Sequence, residues 1–143
     1  MIRRATPDDA EAIARVEVRT FQYAYAEILE PEFLAELDPS ARAEEWRTAL
    51  AQDAVVMIAE IDDRVAGYAS VRDGSLRMLY VDPVAQGAGV GSRLLAQAEA
   101  EGARELEVFE ANGHGRRFYE SRGWRDDGPA GEWLERPLRR YVR

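Results

Sequence analysis

The chain contains no cysteine and no lysine, has a single histidine at position 114, and has no apolar run near the length of a membrane span. The missing cysteine excludes disulfide staples, thiolate metal sites and a thiol nucleophile, and it fits a reducing cytoplasm. The missing lysine excludes Schiff-base and amine-nucleophile chemistry, since all 19 basic residues are arginine. A membrane helix needs roughly 20 consecutive apolar residues, and the N-terminus Met1-Ile2-Arg3-Arg4-Ala5-Thr6-Pro7 turns polar too early for a signal peptide. Positive charge is also short: 27 acidic residues leave a formal net charge of -8, which argues against nucleic acid or an anionic membrane as partner. The expectation is a soluble cytoplasmic protein with no metal.

What is present fits one domain. At 143 residues the chain can bury about two-thirds of its unfolded surface around one core, so residues 1–143 are read as a single unit. A short strand over 1–4 leads to Thr6-Pro7-Asp8-Asp9, a helix start with Thr6 as cap, Pro7 at the first helical position and an acid at the capping-box position. Apolar spacing extends that helix to about Thr20, a second helical stretch covers 21–37 with a break near Pro31, and Asp38-Pro39-Ser40 separates it from a helix over 41–51. Strands follow over 54–61, 65–71 and 75–81, joined by tight turns at Asp62-Asp63 and Asp73-Gly74 into an antiparallel meander. Then come a helix over 90–101, a strand over 105–109, a helix over 113–122, and a last strand over 131–143 despite Pro137. The predicted class is α/β with a mixed, mostly antiparallel central sheet and helices on both faces.

The most specific feature is Gln86-Gly87-Ala88-Gly89-Val90-Gly91, placed between a strand and a helix, with Ser92 in the first helical turn. Such a turn leaves backbone N–H groups free at a helix N-terminus, where an anion is favoured. A Walker P-loop requires a lysine after the last glycine, and this chain has none. A Rossmann fingerprint requires an opening parallel strand, whereas the strand here closes an antiparallel meander. A tight connection without any ligand remains the third reading of the glycines alone.

Read with its surroundings, the turn resembles the GNAT superfamily of acetyl-CoA-dependent N-acetyltransferases. The resemblance rests on Gln86-x-x-Gly89-x-Gly91 after Leu79-Tyr80-Val81-Asp82-Pro83, then Asn112 and Phe118-Tyr119-Glu120-Ser121-Arg122-Gly123-Trp124. It is close over the C-terminal half and holds in element order over the N-terminal half. The resemblance implies that Gln86, Gly87, Ala88, Gly89, Val90, Gly91 and Ser92 grip the CoA pyrophosphate. It also implies that the strand carrying Leu79, Tyr80 and Val81 pairs with the pantetheine arm, with the Leu79 N–H polarising the thioester. Asn112 would bind the cofactor arm, and Tyr119 would protonate the departing thiolate. Gly115 stands where the family usually has a small alanine.

The acceptor half is less defined. Some relatives carry a glutamate at the start of the fourth strand, where this chain has Ser75. Glu60, Glu27 and His114 are the other candidate bases, and water-mediated deprotonation is the expectation. By resemblance, the acceptor binds between residues 21–37 and the strands around Tyr68 and Arg77. There Tyr25 and Glu27 offer an aromatic and acidic wall to a cationic amine, and Arg77 could pair a carboxylate. The expected partner is a small-molecule or peptide amine. The Arg- and aromatic-rich C-terminal strand leaves a homodimer open. Two rivals are a non-catalytic CoA-binding regulatory domain and a nucleotide-binding protein using the same glycines.

Overall fold

The computed structural model describes residues 1–52 and 54–143. The strands are β1 (Ile2–Arg4), β2 (Val55–Ile61), β3 (Arg64–Arg72), β4 (Ser75–Val81), β5 (Glu105–Phe109), β6 (Arg125–Trp133) and β7 (Arg136–Val142). The helices are α1 (Ala10–Ala24), α2 (Pro31–Ala35), α3 (Pro39–Ala51), α4 (Val90–Ala100) and α5 (Gly113–Glu120). The strands form one sheet in the order β1-β2-β3-β4-β5-β7-β6. Every neighbouring pair is antiparallel except β4 and β5. Among the described residues no helix is long and apolar enough to cross a membrane.

Local chemistry sets most boundaries. Before α1, Asp9 accepts from the Thr6 N–H at 2.8 Å and from both terminal nitrogens of Arg3, so the acid closes the helix entry and ties it to β1. That pairing holds the Asp9 carboxyl below its ordinary range, the Arg3 hydrogen bond being the largest cause. At α3, Asp38 accepts from the Ser40 N–H at 3.0 Å and Pro39 fills the first helical position. The expected breaker is therefore the helix start. No break falls at Thr20: α1 runs on to Ala24, and residues 25–30 leave the helix before Pro31 reopens one.

The C-terminal segment differs from expectation. In place of one strand over 131–143 the chain makes a hairpin, turning at Leu134-Glu135 with φ of 51° and 63°. Two-residue hairpin turns of this hand favour Asn, Asp or Gly, and neither residue announces one. The Asp62-Asp63 and Asp73-Gly74 turns use the same backbone with the expected residues.

Two apolar layers sandwich the sheet. On one face Val90, Leu94, Leu95 and Ala98 of α4 pack on Ala69, Leu76, Leu106 and Val108. On the other, Ile13, Ala14 and Val16 of α1 and Trp46 of α3 cover Val56, Ile58 and Tyr68. A smaller cluster, Phe21, Tyr25, Leu29, Leu34, Phe109 and Leu138, closes the end of α1 against β5 and β7.

The feature that positions the site is the seam in the middle of the sheet. β4 and β5 pair only at Ser75↔Glu105 and Leu76↔Leu106, yet β4 continues to Val81 and β5 to Phe109. Beyond that short ladder the strands part. β4 also bulges on its other side, because Leu76 and Met78 oppose the consecutive residues Val71 and Ser70, leaving Arg77 as the extra residue.

Candidate active site

The glycine turn sits at the mouth of the open seam. Gly87 and Gly89 have φ of 89° and 77°, a region that L side chains rarely adopt, and Gly89 is the N-terminal cap of α4. A side chain at either would meet nothing within 4 Å, so the turn faces open space. The first-turn amides of α4 have no helical carbonyl four residues earlier to bond, and the helix dipole favours an anion at this end.

The strand edge continues this donor row. The Asp82 N–H donates to the Ala66 carbonyl on β3 at 2.8 Å. The Val81 carbonyl instead receives Thr20 Oγ1 at 3.4 Å and Gln86 Nε2 at 3.5 Å. Because antiparallel strands alternate sides residue by residue, the N–H groups of Leu79 and Val81 face the open seam.

One cavity of about 1150 Å³ joins these groups, larger than the roughly 300–1,000 Å³ of ordinary ligand sites. At one end it is lined by Gln86, Gly87, Gly89, Gly91 and Ser92, along the seam by Leu79, Val81, Asn112 and Tyr119, and at the other end by Tyr25, Arg77 and Tyr80. Tyr119 is half-buried, with its ring edge-on to Phe118 at 5.2 Å and to Trp124 at 6.2 Å. Burial pushes its phenol well above the ordinary tyrosine value, so it stays protonated at neutral pH. Asn112 caps α5, its side-chain oxygen accepting from the Gly115 N–H at 3.0 Å, which leaves its amide nitrogen free. Val90 lines the cavity from the core and is almost fully buried.

Two expected acceptor residues lie elsewhere. Glu60 is bound to Arg3 at 2.6 Å beside β1, on the far side of β3 from the seam, and does not line the cavity. Its place two residues before a turn suggested exposure, but the β1 pairing brings an arginine to it. Glu27 is exposed and lines a separate cavity of about 380 Å³ with Asn112 and His114. Segment 25–30 is not helical, and its backbone turns Glu27 away from the main cavity.

Four further residues complete the picture. Glu17 of α1 is 6% exposed, lines the cavity, and accepts from Arg42 Nε at 2.8 Å, Arg42 Nη2 at 3.0 Å and Trp46 Nε1 at 3.2 Å. Its signal was present, since Glu17 falls at i+4 from Ile13 and i−4 from Phe21, on the apolar face of α1. Glu107 of β5 lines the cavity just past the last parallel pair and has no ion-pair partner within 4 Å among the described residues. Trp133, from the C-terminal hairpin, lines the cavity beside Phe21 and Phe109. Arg122 stands at the other end, its guanidinium 3.9 Å over the Phe118 ring, donating to Ser92 Oγ at 2.6 and 3.0 Å and to the Phe118 carbonyl at 3.0 Å. No carboxylate neutralises it among the described residues, although it lies beside the positive end of α4.

Residues 11–133 match the family model for the acetyltransferase (GNAT) domain. The chain belongs to the GNAT family. This N-acetyltransferase is 33% identical over 135 residues to an uncharacterized N-acetyltransferase of Mycobacterium tuberculosis, covering 84% of this chain and 85% of that protein. A shorter stretch of 63 residues, 40% of the chain, is 38% identical to a mycothiol acetyltransferase of Rhodococcus jostii, of which it spans 21%. In fold, the GNAT chain superposes on the PaiA N-acetyltransferase of Thermoplasma acidophilum, a crystal structure in complex with coenzyme A. The TM-score there is 0.78 at 19% identity, with 100% of this chain and 98% of that one covered.

Proposed function

We propose that this GNAT enzyme binds acetyl-CoA along the open seam and transfers the acetyl group directly to a primary amine in a ternary complex. The observation that carries the reading is the single cavity running from the glycine turn, through the parted strands β4 and β5, to the aromatic end of α1. Both substrates can occupy it together, and neither cysteine nor lysine exists to hold a covalent acyl intermediate.

In this reading the amides from Gly87 to Ser92 hold the pyrophosphate, and Arg122 supplies the charge that balances it. The pantetheine arm takes the place of a missing strand beside β4. The Leu79 N–H faces the thioester carbonyl and stabilises the oxyanion as it forms. The bound ammonium first gives up a proton to solvent, its freed lone pair attacks the carbonyl carbon, the C–S bond breaks, and the thiolate takes the Tyr119 phenolic proton, which solvent later replaces. The acylated nitrogen loses its second proton to water or to the free carboxylate of Glu107. The reading requires free-thiol release from acetyl-CoA on addition of an amine, and thermal protection by CoA but not by NAD or ATP. CoA binding without thiol release from any amine would instead favour a regulatory domain, and protection by NAD alone would overturn the reading altogether.

A further inference from the structure

The acceptor end of the cavity is walled by rings to an extent that packing alone does not require. Phe21 meets Tyr25 at 4.9 Å, Tyr80 at 5.5 Å and Trp133 at 5.9 Å, all edge-on. Tyr25 meets Phe109 at 5.0 Å edge-on, and Phe109 stacks on Trp133 at 5.4 Å with only 15° between the planes. Phe21, Tyr25 and Phe109 are buried, whereas Trp133 remains 45% exposed. An indole stacked on Phe109, held perpendicular to Phe21 and still nearly half exposed offers ring surface to another flat group.

Charge around the platform is lopsided. Glu107, two residues before Phe109 on the same strand, and Glu132, next to Trp133, line the cavity without an ion-pair partner among the described residues. Glu17 is neutralised by Arg42, and Arg77 lines the cavity with no ion-pair partner among the described residues. Two free carboxylates against one guanidinium favour a ligand that arrives as a cation. Yet Phe33, Leu37 and Leu138 also line the cavity, and apolar walls of this kind would desolvate a second charge on the ligand without compensation.

Resting on the acetyl-transfer reading, we infer that the acceptor is an arylalkyl primary amine with no second charge: its ammonium is drawn by Glu107, and its ring packs against the exposed part of Trp133.

The test compares tryptamine and phenethylamine with hexylamine, spermidine and phenylalanine, in wild type and in Trp133→Ala. Thiol release gives kcat/KM, and calorimetric titration of each amine into the CoA-saturated protein gives Kd without turnover. Aryl amines should exceed hexylamine about tenfold in both readouts, the order of one good aromatic contact plus its burial. Trp133→Ala should lower kcat/KM and affinity for the aryl amines about tenfold more than for hexylamine, and Trp133→Phe should restore most of the difference. Aryl amines that bind no tighter than hexylamine would overturn the inference, as would preference for spermidine or phenylalanine, or equal loss of all acceptors in Trp133→Ala. Absence of thiol release with every amine would overturn the transferase reading instead, and the titrations would still decide whether the platform selects rings.

Discussion

The two ends of the cavity are built from different materials. The end proposed to hold the cofactor is backbone: left-handed glycines, the first-turn amides of α4 and the unpaired edge of β4, all within residues 79–92. The acceptor end is side chain: Glu17 and Phe21 from α1, Phe109 from β5 and Trp133 from β6, gathered from across the sequence. A backbone site recognises a group shared by every reaction of this kind and needs only a short stretch that can adopt the geometry. A side-chain site is free to change one residue at a time without disturbing the other end.

That separation can be broken from either side. The largest effect should come from Glu17→Ala, which leaves Arg42 and Trp46 facing a half-buried void. Removing one partner of a buried ion pair costs about 3 kcal/mol, a drop of about 10 °C in Tm by calorimetry. CoA should still bind to the protein that remains folded. Tyr119→Phe should lower kcat at least about tenfold while leaving CoA affinity intact. In wild type, because burial raises the phenol, its deprotonated fraction appears only above the ordinary value near 10, so kcat should show no alkaline fall below that pH. An unchanged rate in the variant would remove Tyr119 from the mechanism.

Gly89→Val acts at the cofactor end alone. A β-branched residue at φ 77° is strained by about 1–3 kcal/mol, and CoA Kd should rise about tenfold with acceptor selectivity unchanged. Arg122→Gln should raise CoA Kd by about fivefold, less at high salt, since it removes a charge from the phosphate and not the backbone donors. The smallest change is Leu134→Asn with Glu135→Gly, which gives the β6–β7 turn residues suited to its backbone. It should stabilise the fold by up to about 1 kcal/mol, read by denaturant titration, while keeping Trp133 in place.

What could be read in the sequence follows the same division. Period-2 and period-3.6 patterns, Pro39, Asp62-Asp63 and Asp73-Gly74 carry their structure locally, and so does the glycine turn. Glu60 and Glu27 were misplaced because an ion pair with β1 and a non-helical segment 25–30 decide where they sit, and neither is local. The last hairpin was hidden because Leu134-Glu135 resists the backbone it adopts. Trp133 was therefore placed in the wrong strand and went unnoticed as a wall of the site.

The parted strands have a further consequence. From Arg77 on β4 and Glu107 on β5, two interior edges expose hydrogen-bonding groups that proteins ordinarily keep covered against stray pairing. An arm of cofactor seated there, as proposed, would cover both edges. Under the proposed reading, occupancy by CoA does more than supply an acyl group, for it seals the fold in proportion to ligand concentration over Kd. Empty enzyme should then self-associate on warming at CoA levels where the loaded form stays dispersed, linking the protein's persistence to the supply of its own substrate.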